Sequence, residues 1–401
     1  MKMSLLRIEE PAAELHAPWH AAHPLWRLGF RPFYLLAAAF AALSLPLWMA
    51  QYFGWLGAWP QVSLGWHMHE MVFGMALAVI VGFLFTAGRA WTNLPTPSGR
   101  QLAALAGLWL AGRLAMLLAP AWLAAGVDLL FVPLAAWPLY RVLQRAGNKR
   151  NLFLVALLGL LTLANATFHA ADLGLLDLSP VRAIHAAILI IVVIEAVIGG
   201  RVIPMFTANG APGSKPFVSV RRDRLALGLM AASSLAWVAG IQGWPMAALA
   251  CAAAGMAAWR LLGWQPQRTV RVPLLWILHL SYAWIAIGFF MLALAALDLL
   301  TASAAFHALT VGSMAGLILG MMTRTALGHT GRALKAGPAE TAIYVLIEGG
   351  AVARVAAGVG PAAIRNSALL VASICWSAAF LLYVAIYAPY LFRARVDGRE
   401  G

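Results

Sequence analysis

The lipid core of a bilayer admits only backbone that satisfies its own hydrogen bonds, so a chain made of successive ~20-residue apolar runs is confined to membrane-spanning helices. Such runs fill this sequence. Bounded by Pro, Gly and charge, they lie at about 32–53, 66–87, 102–118, 121–140, 152–171, 181–200, 225–241, 245–263, 274–300, 304–322, 339–357 and 367–392. The expected fold is an all-α, polytopic transmembrane helical bundle of about twelve spans. It divides into an N-terminal tail at 1–29, a transmembrane domain at 30–392 and a C-terminal tail at 393–401. Charged residues make up 10% of the chain, against ~25% in a soluble domain, and the spans leave no length for a soluble domain. No short apolar stretch with a small-residue cleavage site precedes Trp26, so the first span is expected to stay in the mature chain.

The net charge of +14 does not point to nucleic acid, because that reading needs a basic patch on one folded face. The charges sit between spans instead. Of the 28 Lys and Arg residues, all but Arg113, Arg182, Arg354 and Arg365 fall on alternate connections, beginning with the N-terminal tail and ending with Arg393, Arg395 and Arg399. By the positive-inside rule both termini are expected in the cytoplasm. The opposite side carries Asp128, Asp172, Asp177 and Asp298 near its connections, and Trp55 and Trp59 there suit an interfacial belt. Cys251 and Cys375 lie inside apolar runs and form no CxxC or CxxCH, which argues against a disulfide framework and covalently attached haem. No internal repeat or low-complexity tract stands out.

Direction along each span turns sequence position into depth. The second span starts on the outer side with GWHMHEMVFG, so His67 and His69 are near that surface; the fifth ends there with His169, and the sixth and tenth start there with His185 and His307. Five of the ten histidines thus fall in one outer layer drawn from four spans. Any one alone could be an interhelical hydrogen-bonding residue. A layer of imidazoles can also ligate haem iron or copper without carrying charge into lipid. Residues i and i+2 of a helix stand ~200° apart, so His67 and His69 either serve two centres, one on each side of the helix, or one of them is interfacial. Glu70, at i+3 from His67, is placed to accept its ring N–H. Arg113 lies at the depth of the histidine layer, where a haem propionate would suit a buried guanidinium.

A second, inner group comprises Glu195, His279, Glu348 and the segment RTALGHTGR, Arg324 to Arg332. Glu195 and Glu348 sit well inside their spans, as steps of a proton path or as partners of a nearby Arg. His329 and Arg332, with Gly328 and Gly331, form either a turn that holds an anion or a simple helix end. In the tail, His16, His20 and His23 share one helical face, which suits a metal site or a solvated segment.

GWHMHEMVFG, GFRPFYLL at the first span, RVIPMFT after the sixth and LILGMMTRTALGHTGR at the tenth resemble the NnrS family over essentially the whole chain. The resemblance implies a multi-pass protein of the bacterial inner membrane that contains non-covalent haem and copper. Its activity would be to bind or convert nitric oxide in nitrosative-stress response or denitrification, with a membrane electron donor as partner. It places His67, His69, His185, His307 and His329 within the family's motifs and assigns none of them individually to haem or copper. A twelve-span protein with haem and copper also invites comparison with haem-copper oxidase subunit I, at the level of architecture alone. A reading from another class remains beside it: a proton-coupled transporter of a small solute or metal ion, with Glu195, His279 and Glu348 as its path. Transporters usually carry broken helices or paired halves, and the sequence makes neither evident.

Overall fold

The computed structural model describes residues 23–57 and 59–399. His16 and His20 lie outside the described residues, as do Lys2 and Arg7. Among the described residues every regular element is helical. Twelve long helices follow in order: α1 (Phe30–Tyr52), α2 (Leu64–Thr92), α3 (Gly99–Leu118), α4 (Ala121–Arg145), α5 (Leu152–Asp172), α6 (Pro180–Gly210), α7 (Val220–Val238), α8 (Gly243–Gly263), α9 (Pro273–Ala296), α10 (Ala302–His329), α11 (Pro338–Val359) and α12 (Ala362–Phe392). Eleven are long and apolar enough to cross a membrane. The exception is α7, whose first turn carries Arg221, Arg222, Asp223 and Arg224 and lowers its apolar content.

Local chemistry sets the ends. Ser63 caps α2 by accepting from the Trp66 N–H at 3.1 Å, and Asn93 closes it in the left-handed region at φ 55°. Thr301 caps α10. Pro180, Pro273 and Pro338 occupy first positions, where the missing N–H costs nothing. The helices pack through small residues, as expected where lipid offers no hydrophobic drive to association. At Gly82 of α2 a Cβ would come within 2.9 Å of the Phe33 Cβ of α1, so only glycine permits that approach.

Two helices depart from regular α geometry. Glu70–Ala76 in α2 and Ala308–Ala315 in α10 are π-helical, and each begins at the residue after a histidine, His69 and His307. Such segments cluster at functional sites because the wider turn re-aims side chains and frees carbonyls. The Gly74 carbonyl, which also receives the Leu77 N–H, accepts from Trp109 Nε1 of α3 at 2.9 Å. The helix α4 is also interrupted, at Leu129 and Leu130, directly after Asp128.

Candidate functional site

The start of α2 carries two histidines that open on opposite sides of the helix. On one side is a cavity of about 620 Å3, lined by His67, by His185 of α6 and by His307 of α10. Every fourth helix therefore brings one imidazole to the same space. The walls are otherwise mainly apolar and rich in methionine, and they include Arg354 of α11 and Arg365 of α12. Arg354 donates to Ser303 Oγ at 3.4 Å. Among the described residues neither arginine has a carboxylate within ion-pair distance.

The three imidazoles are held differently. His307 donates Nδ1–H to the Ser303 carbonyl at 2.6 Å, which leaves Nε2 as the nitrogen with a free lone pair. That is the usual pose of a metal-ligating histidine. His67 stacks on Trp48 with centroids 5.3 Å apart, and its Nδ1 is buried without a hydrogen-bond partner. His185 accepts from Trp237 Nε1 at 3.3 Å and stacks on Phe306 at 3.7 Å, so its Nδ1 lone pair is already engaged.

On the other side of α2 lies a closed polar network. His69 faces acceptors at both ring nitrogens: Nδ1 donates to Glu70 Oε1 at 2.9 Å and Nε2 to Asn165 Oδ1 of α5 at 2.9 Å. Arg113 of α3 donates from Nη1 to both Glu70 oxygens at 2.7 Å and from Nη2 to Asp128 Oδ1 of α4. Asp128 Oδ2 accepts from Asn165 Nδ2 at 2.6 Å and from His169 Nε2 at 3.1 Å. All of these side chains are buried. One ligand atom each from His69, Asp128 and His169 lies within 4.8 Å of the others, so the three form a candidate metal group.

Three features differ from the sequence reading. Glu70 is bonded to His69 rather than His67, because the π-helical turn begins at Glu70 and rotates its carboxylate off the i+3 face. Arg113 has two protein carboxylates as partners, with no propionate required to hold it. Asp128, expected near a connection on the outer side, is buried where α4 breaks and is the hub of the network. Asn165, Arg354 and Arg365 were not singled out as site residues, although both arginines are exceptions to the charge alternation and so carried a signal.

The inner group does not assemble. Glu195 accepts from Ser313 Oγ in the π-helical part of α10 at 3.1 Å. His279 Nε2 meets Thr207 Oγ1 at 2.8 Å. Glu348 accepts from Ser281 Oγ and Trp284 Nε1, each at 2.8 Å. Both carboxylates thus have neutral donors as partners, and among the described residues no hydrogen bond joins the three groups. Arg324 lies over the Phe206 ring at 3.8 Å, Arg332 over Tyr390 at 3.7 Å, and the His329 ring packs on Phe30 at 5.6 Å. In the tail, His23 accepts from the Leu25 N–H at 3.3 Å.

The family model described as NnrS protein matches residues 24–395. The chain belongs to the NnrS family. A comparison with curated proteins finds no match. In this NnrS family member the stretch around His67 and His69 forms the shared wall between the cavity and the polar network. The stretch LILGMMTRTALGHTGR runs down α10 away from His307 to the other end of the bundle.

Proposed function

We propose that this NnrS family member is a bacterial inner-membrane haem and copper protein that binds or converts nitric oxide, with both termini in the cytoplasm. The observation that carries the reading is His307: its Nδ1–H is tied to the Ser303 carbonyl while the ring lines a cavity of about 620 Å3. That volume falls within the ~300–1,000 Å3 usual for cofactor pockets. His307 and the orphaned His67 Nδ1 are the candidate haem-side nitrogens. Arg354 and Arg365, which lack carboxylate partners among the described residues, suit the acidic edge of a haem. His185, engaged by Trp237, is assigned to positioning.

On the opposite face, His69, Asp128 and His169 would hold the copper, a donor set of imidazole and carboxylate that suits that metal. Glu70 would fix the orientation of the His69 ring through Nδ1–H, and Nε2, which in the metal-free protein donates to Asn165, would lose its proton and turn its lone pair to the metal. Bound haem and copper would supply ligation of nitric oxide and one-electron chemistry. The chain's own part is to exclude water with the apolar walls and to carry protons on Glu195 and Glu348, which both contact α10.

An absorption spectrum of the detergent-purified protein tests this directly. A haem Soret band that shifts on adding nitric oxide is expected. A colourless protein would overturn the reading in favour of the proton-coupled transporter.

A further inference from the structure

The end of the bundle away from His67 holds a second cavity, of about 480 Å3, that the proposed function does not use. Its walls come from the last turns of α2, the 3-10 turn Lys149–Asn151 ahead of α5, the later part of α6 and the end of α10. Two chemistries meet there. One part of the lining is apolar, from Phe83, Val202 and Met321; the other is the group Asn148, Arg150, Asn151 and Arg201.

The arginines are the unusual feature. Arg201 donates from Nη1 to Asn151 Oδ1 at 2.8 Å and lies over the Phe153 ring at 5.6 Å. Asn151 is oriented in turn by Asn148, to whose Oδ1 it donates at 3.1 Å. Arg150 lines the same cavity wall. Among the described residues neither has a carboxylate within ion-pair distance. Two guanidiniums on the wall of one cavity, neither paired with a carboxylate among the described residues, suit an anion bound between them.

We propose that this cavity binds an anionic membrane phospholipid, its phosphate between Arg150 and Arg201 and its acyl chain along Phe83, Val202 and Met321. A small inorganic anion would answer the charge and leave the apolar part empty. Basic pockets between helices at the basic face of a membrane protein are where anionic headgroups collect. This end of the bundle is also the one carrying the Arg-rich connections.

The test uses the full-length protein, purified and delipidated in a neutral detergent, with phosphatidylglycerol, phosphatidylcholine or inorganic phosphate added. Native mass spectrometry counts retained lipid, and a thermal melt reads the stabilisation. Phosphatidylglycerol should be retained at one tight site per chain and raise the melting temperature. The other two additions should do neither. Loss of each charge-assisted contact should weaken retention by on the order of tenfold, so Arg150→Gln/Arg201→Gln should abolish the tight site. Should the double variant fail to fold, Arg150→Gln alone carries this arm, because Arg150 is exposed and its side chain makes no hydrogen bond among the described residues. Equal retention of phosphatidylcholine would overturn the proposal. So would an equal melting shift with inorganic phosphate, or tight retention of phosphatidylglycerol by the variant.

Discussion

Replacing Arg113 with leucine strands two carboxylates, Glu70 and Asp128, that are 0% and 3% exposed. Arg113 now donates to both oxygens of Glu70 at 2.7 Å and to Asp128 Oδ1. Summing these contacts at ~1.5–3 kcal/mol each would overshoot, since contacts within one network are not additive. Removing one partner from a buried ion pair costs about 3–5 kcal/mol. At roughly 2 °C per kcal/mol for a large chain, a loss of about 4 kcal/mol lowers the melting temperature by on the order of 8 °C. The assay is a thermal melt of the detergent-solubilised protein with size-exclusion recovery. The deficit should persist in high salt, because buried pairs are poorly screened. Adding Glu70→Gln and Asp128→Asn to Arg113→Leu should restore most of the loss, since neutral amides remove the stranded charges at nearly unchanged volume. An Arg113→Leu protein that melts with wild type, or a triple variant less stable than the single one, would refute the reasoning.

Other consequences are equally open to measurement. Arg354→Gln and Arg365→Gln should lower haem content, read by the pyridine haemochrome assay, with little change in melting temperature, because neither arginine has a carboxylate partner among the described residues. Gly312→Leu should reduce the yield of monodisperse protein sharply, since even a Cβ there meets the Trp284 side chain and overpacking costs about 1–3 kcal/mol or more. If both termini are cytoplasmic, a fluorescent protein fused after Gly401 should be bright and an alkaline phosphatase fused there inactive; the reverse pattern would invert the topology.

The helical layout was legible because it is local. Each apolar run is long enough to demand a helix, and the runs read from the sequence match the observed helices in number and order, with ends displaced by a few residues. The largest extension is α6, which runs to Gly210 through Pro204 rather than ending near Gly200. The ~200° between His67 and His69 was legible for the same reason, as helical geometry alone. The partnership of Arg113 with Asp128 was not, because that contact is set by how α3 and α4 pack, and hydropathy says nothing about which buried face meets which. Nor were the π-helical segments, which leave no periodic signal. In hindsight the clue is shared spacing: His69 and His307 each precede a glycine by five residues, Gly74 and Gly312, and both glycines sit in tight contact. At Gly74 a Cβ would come within 2.9 Å of Arg113 Nη1.

That His67 and His69 serve two centres, one on each face of α2, is tested most directly by the visible spectra and copper contents of His67→Ala and His69→Ala beside wild type. His67→Ala, which opens the cavity wall, should alter or abolish the haem spectrum with copper retained. His69→Ala, which breaks into the network with Asp128 and His169, should lower copper with haem retained. Loss of haem alone from both variants, or no change of cofactor in either, would contradict the account.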